Sequence, residues 1–294
     1  MKLGDLAATA VAPMIWGSTY LVTTQWLPPD RPVWLSVLRA LPAGLLLLAL
    51  VRRLPHGVWW GRMLILGGLN FAIFWSCLFV GAYRLPGGVA ATLGAVQPLL
   101  VLGLQRLVVG TPVGGRRVGV GVVGLAGVAL LVLTPSAALD GVGIAASLLG
   151  AASMAAGTVL TRRWQPTEGA LTVTAWQLVA GGVLLLPVAL VVEPAPPPPT
   201  FLHLAGYLHL GLIGAAFTYW LWFRGLTRLE PAVVAPLGFL SPVTAVVLGV
   251  AVLGQTPTPA QAIGMALVLG SVWANMRIRD GSTAAPAQPE RSAA

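Results

Sequence analysis

Long uncharged runs follow one another through this chain, and they limit what it can fold into more than any other feature. Mostly apolar stretches occupy about 6–25, 33–51, 63–82, 88–109, 117–133, 142–160, 171–192, 202–223, 232–253 and 260–276. A helix needs roughly 20 such residues to cross the ~30 Å hydrocarbon core of a bilayer. The runs are continuously apolar, whereas the strands of a membrane barrel alternate with period two over about 10 residues. A chain in lipid must also satisfy its own backbone hydrogen bonds, which a helix does internally. The expected fold is an all-α polytopic membrane protein with ten transmembrane helices in a lipid bilayer. With 57% apolar and 9% charged residues, the sequence has too little charge to cover a water-facing surface. The opening "MKLGDLAATAVAPMIWG" has the look of a leader, but its apolar run continues from Trp16 to Leu27 and is read as the first span.

The net charge of +9 raises the question of nucleic acid as a partner. Its distribution answers that question. If both termini are cytoplasmic, ten spans put Lys2, Arg52, Arg53, Arg62, Arg106, Arg116, Arg117, Arg162, Arg163, Arg224, Arg228 and the arginines beyond on the inner side. Only Arg31, Arg39 and Arg84 fall toward the outside. This is the positive-inside bias of a membrane protein, so no nucleic-acid partner is expected. Cys77 is the single cysteine and lies within the third span, which excludes an intrachain disulfide.

Sliding the sequence along itself by 144 positions lays "RLPGGVAATLGAVQPLLVLGLQRLVVG" (84–110) on "RLEPAVVAPLGFLSPVTAVVLGVAVLG" (228–254). Arg84 meets Arg228, Gly94 meets Gly238, Pro98 meets Pro242 and Gly110 meets Gly254. Upstream, Trp75 meets Tyr219, Phe79 meets Phe223 and Gly81 meets Gly225. Slightly smaller offsets bring Gly17 onto Gly157 and Arg39 onto Gln177. The chain therefore reads as two five-helix repeats, 1–135 and 141–280, followed by a disordered cytoplasmic tail at 281–294. Five is odd, so the second repeat enters the membrane from the opposite side and the two are inverted. Inverted repeats around a midplane site are an architecture of secondary transporters.

Both repeats carry Gly-x-x-x-Pro, at Gly94/Pro98 and Gly238/Pro242. A proline inside a helix lacks the N–H that would bond the carbonyl four residues back, and its ring crowds that carbonyl. The sequence thus predicts a bend in span 4 and a matching bend in span 9. Two readings stay open: a kink that serves packing, and a hinge beside the path of a solute.

The motifs "WGSTYLV", "LRALPAGLLLL", "AYRLPGGVAATLGAVQPLL" and "GLTRLEPAVVAPLGFLSPV" resemble the EamA branch of the drug/metabolite transporter superfamily over essentially the whole chain. The resemblance implies a multi-pass bacterial inner-membrane carrier with a central cavity between its halves. It also implies export of small metabolites, with neutral or aromatic amino acids the leading substrates, by alternating access. Efflux of cationic drugs and proton-coupled antiport are the alternatives.

No enzyme chemistry is expected. There is no G-x-x-x-x-G-K-[ST] loop, the only lysine being Lys2, and no G-x-S-x-G elbow. No histidine or cysteine cluster suggests a metal site, and no cofactor is expected. Asp5, Asp30, Asp140, Glu168, Glu193, Glu230, Asp280 and Glu290 all fall at span ends, in loops or in the tail. Ion-coupled carriers commonly bury a carboxylate deep in a span. Its absence leaves facilitated diffusion and proton exchange both open, with His209 and His203 the histidines placed to relay a proton in the membrane.

Arg39 sits about six residues into span 2. Snorkelling to the outer surface and attraction of a solute carboxylate are both compatible with that depth. The expected solute-binding residues are Trp16, Tyr20, Asn70, Trp75, Gln97, Tyr219 and Ser241, aromatic surfaces combined with a few hydrogen-bonding groups. Trp26, Trp34, Trp59 and Trp60 are expected in interfacial belts. Glycines in "GVGVVGLAG" and the Ala266, Gly270, Ala274 series suit close helix contact, within a monomer or in a homodimer.

Overall fold

The structure is a computed structural model and describes residues 3–85, 93–110, 113–132, 140–164 and 167–278. The segment between Leu85 and Leu93, the link between the two repeats and the tail lie outside the described residues, so the reading of 281–294 as a tail meets no structure. The described residues form helices and no strand. We number the helical runs α1 (Leu3–Trp26), α2 (Pro32–Val51), α3 (59–84), α4 (Gln97–Val109), α5 (Gly115–Val132), α6 (Gly141–Trp164), α7 (Ala170–Val192), α8 (Phe201–Arg228), α9 (Pro231–Leu253) and α10 (Pro259–Arg277).

Seven of these runs are long and apolar enough to cross a membrane: α1, α2, α3, α6, α7, α8 and α9. The ten expected spans exceed that number at α4, which is too short among the described residues, and at α5 and α10. The protein is a multi-pass membrane protein. Large apolar side chains such as Leu50, Ile65, Val191, Phe201 and Trp273 are more than half exposed or close to it, which lipid tolerates and water does not.

Local chemistry sets the helix ends. Pro32, Pro231 and Pro259 stand in first turns, where a missing N–H costs nothing. Thr200 and His203 form a reciprocal cap at the start of α8, so His203 is a capping residue. Thr258 and Gln261 do the same for α10. Gly110 and Gly254, paired in the sequence repeat, both end their helices in the left-handed region, at φ 77° and 66°. Glu193, just past α7, accepts the Val33 and Trp34 N–H groups at 2.8 and 2.9 Å and so fastens the start of α2.

The prolines behave differently from the expected kink within a helix. Leu93 and Gly94 make a helical fragment, 95–96 is a turn, and a new helix starts at Gln97 with Pro98 in its first turn. In α9, a 3-10 segment covers Ala235–Phe239 and the α-helix resumes at Leu240, with Pro242 again in the first turn. The chain breaks the helix before each proline, since the first turn is where its missing N–H and its ring are tolerated. π-helical segments interrupt α3 at Gly68–Ile73 and α8 at His209–Phe217, positions that correspond under the 144-residue offset, and a third ends α4.

Packing repeats in the same way. α2 lies along α7 and α5 along α10; α3 packs on α6 as α1 packs on α8, and α4 meets α6 as α9 meets α1. Exchanging the first five helices for the last five leaves this pattern unchanged. Gly127 and Gly264 bring α5 and α10 together so closely that a Cβ on either would press on the other's carbonyl. Gly270, expected in that contact, faces open space. Trp60 is exposed as a belt residue would be, but Trp59 is buried with Met63, Leu66 and Trp176.

Candidate functional site

At the centre, α1, α3 and α8 contribute a cluster of aromatic rings. Phe71, Trp75, Tyr219, Trp222 and Phe223 are almost fully buried and pack with Trp16. Trp16 stacks at 4.9 Å from Tyr219 and 5.1 Å from Trp222, and Phe71 lies 4.6 Å from Tyr219. Offset, tilted pairs of this kind are the favoured arrangement of aromatic quadrupoles. Trp75 Nε1–H donates to Tyr219 Oη at 3.3 Å, so the two residues that the repeat aligned touch each other. Corresponding positions meet only near the axis that relates two copies.

A cavity opens beside this cluster. Its walls include Trp16, Tyr20, Trp75, Gln97, Tyr219 and Ser241, six of the seven solute-binding residues expected from the sequence. Gly94, Pro98, Gly238 and Pro242 line it as well, so the helix breaks of α4 and α9 face the same space. A Cβ on Gly94 or Gly238 would meet nothing within 4 Å. The broken backbone there needs the wet or protein-lined surroundings that a cavity provides.

Asn70 is absent from this lining. It is fully buried on the π segment of α3, where its Nδ2–H donates to Gln177 Oε1 of α7 at 2.7 Å. Across from it Gly157 of α6 leaves room for the amide, because a Cβ there would overlap Asn70 Oδ1. Asn70 therefore ties three helices together, and a protein amide accepts its N–H, while its Oδ1 has no partner among the described residues. His209 is also away from the cavity. Its Nε2 lies 2.8 Å from Ser18 Oγ, and Ser18 gives its own proton to the Ile15 carbonyl, which makes the imidazole N–H the donor.

Arg39 of α2 lies in the cavity wall with 3% of its surface exposed, which removes the snorkelling reading. Its guanidinium stacks over Trp75, 4.4 Å from the ring centroid. Nη2 donates to the Gly214 carbonyl of the α8 π segment at 2.9 Å. Thr218 Oγ1 donates to the same carbonyl at 2.9 Å and accepts Trp16 Nε1–H at 2.8 Å. The π segment thus supplies one oxygen that positions both Arg39 and, through Thr218, Trp16. The sequence did not reveal this link, since a π turn leaves no mark on an apolar run.

A family model decides what kind of protein this is. That of the EamA-like transporter family matches residues 2–133 and again 141–277. The chain belongs to this family. It is similar to protein PecM of Dickeya dadantii, with 43% identity over 92% of this chain and 91% of that one. Similarity extends to the inner membrane transporter YedA of Escherichia coli, at 28% identity over 94% and 90% of the two chains. A crystal structure of a protein that is 22% identical superposes with a TM-score of 0.80 over 94% of this chain and 99% of that one, which establishes a shared fold. A membrane transporter of small metabolites is the function that family and relatives support.

Proposed function

We propose that the protein is a secondary transporter that exports small metabolites, neutral or aromatic amino acids foremost, across the bacterial inner membrane by alternating access. In this reading all ten helical runs lie in the bilayer as two inverted repeats, both termini are cytoplasmic, and Gly94/Pro98 and Gly238/Pro242 are hinges. The observation that carries it is the placement of the cavity: helices of both halves line it, aromatic rings floor it, and the two proline breaks face it. An alternating carrier needs a site shared by two moving parts. Facilitated diffusion is the favoured energetics, because among the described residues Arg39 is the charged one in the cavity wall and no carboxylate lines it. A cationic drug would meet Arg39 unaided by any acid.

Reconstitution in liposomes tests this. Labelled phenylalanine should enter saturably with no ion gradient, and an imposed proton gradient should change the rate less than twofold. Entry only under the gradient would establish proton coupling, with His209 the first residue to replace.

A further inference from the structure

Two residues of the cavity wall carry buried hydrogen-bond donors that nothing among the described residues accepts. Arg39 spends one N–H on Gly214, and its Nε has no partner among the described residues. Trp222 Nε1, in the same wall and 1% exposed, has none either. An uncompensated guanidinium in so buried a place is costly unless an anion joins it. Asp5, Asp140, Glu168 and Glu193 are engaged elsewhere, with arginines, a histidine and backbone N–H groups.

The two halves show how this site arises. Arg39 corresponds to Gln177, and Asn70 corresponds to Gly214 at the same 144-residue spacing that relates Trp75 to Tyr219. In one copy the amides of Asn70 and Gln177 share one hydrogen bond of 2.7 Å, outside the cavity, with Asn70 Oδ1 and Gln177 Nε2 left without a partner among the described residues. In the other, glycine replaces the asparagine, only its carbonyl remains to be bonded, and the longer charged Arg39 fills the vacated space and reaches the cavity. The halves thus diverge: one has a neutral amide pair where the other has a cation in the cavity wall.

We propose that Arg39, stacked on Trp75 and assisted by Trp222 Nε1, is the acid-group subsite of the cavity, and that it selects a flat aromatic monocarboxylate held by its carboxylate alone. This rests on the transporter reading and narrows its solute. A carboxylate presents acceptor lone pairs to a guanidinium fork, and the adjoining rings suit a planar body. Among the described residues no carboxylate lines the cavity to pair with an ammonium, so a 2-oxo acid fits at least as well as the corresponding amino acid, and an amine lacking the carboxylate does not fit.

Thermal unfolding of the purified full chain in detergent is the first test, since it reports binding whether or not the solute is carried. Phenylpyruvate should raise the midpoint in a saturable way, phenylalanine should do so no more strongly, and phenethylamine should have no effect. Arg39→Gln should weaken the phenylpyruvate effect by roughly tenfold or more, the usual worth of a bond to a charged group. Trp222→Phe should weaken it less. An equal response to phenethylamine, no response to phenylpyruvate, or an unchanged response in Arg39→Gln would overturn the proposal. Should that variant not fold, the wild-type contrast between acid and amine decides alone. Uptake without an acid-dependent shift would retain the transporter and reject the subsite; a shift without uptake of any panel member would do the reverse.

Discussion

At the scale of single residues, the structure separates two kinds of buried polar group that a sequence presents alike. Asn70 and Arg39 both interrupt apolar runs, and both attract a functional reading on grounds of cost. Asn70 faces another amide within the protein and shares one hydrogen bond with it, whereas Arg39 is a cation in the cavity wall with no acid beside it among the described residues. The difference depends on the partner across the helix interface, Gln177 in one case and the side-chain-free Gly214 in the other, which lies far away in sequence. Asn70→Ala should therefore act on stability. It strands Gln177 Oε1 and leaves a hole opposite Gly157, a loss of about 2 kcal/mol. The apparent KM for uptake should stay within about twofold of wild type in the fraction that folds. A large rise in KM with unchanged thermal stability would return Asn70 to the solute.

At the scale of elements, the hydropathy pattern located seven helical runs long and apolar enough to cross a membrane, because burial in lipid demands apolar residues at every position, while the ten spans it suggested exceed that number. It could not place interruptions, which depend on single hydrogen bonds and not on polarity. The π segments of α3 and α8 left no trace, and the prolines pointed to bends while the structure has fresh helix starts at Gln97 and Leu240. That distinction changes what a substitution does. A proline in a first turn forfeits no helix bond, so Pro98→Ala or Pro242→Ala should shift stability by less than about 1 kcal/mol. Alanine restores an N–H, however, and lets the helix propagate back through the turn at 95–96 or the 3-10 segment 235–239. If these breaks must flex for the cavity to change sides, uptake should slow several-fold while the thermal midpoint barely moves. Parallel loss of uptake and stability would assign the prolines to packing.

At the scale of the whole molecule, the repeat read in the sequence placed Trp75 opposite Tyr219, and these rings touch at the centre of the structure. Away from the centre the two ends are unequal. Where α1 meets the end of α8, Asp5 Oδ1 accepts from Arg228 at 2.7 Å and from Arg224 at 2.9 Å, with Asp5 largely buried. Where α6 meets the end of α3, Arg84, the counterpart of Arg228, stands 3.6 Å from Asp140 just before α6, and this pair is well exposed. The two ion pairs occupy matching helix junctions, α1 on α8 and α6 on α3, so a carrier that rocks between mirror-image states would tighten one as it loosens the other. The Asp5 end has the shorter and more buried contact. Exposed pairs contribute little, and the buried one more. Asp5→Asn should therefore shift the population toward the state open at that end, and Asp140→Asn should shift it weakly the other way. In liposomes with oriented protein, Asp5→Asn should strengthen apparent solute affinity from the Asp5 face and weaken it from the other, so that the ratio of the two changes by about fivefold for ~1 kcal/mol of bias. Equal changes on both faces would mean that the ion pair only holds α1 in place, and that the inequality of the two ends has no part in access.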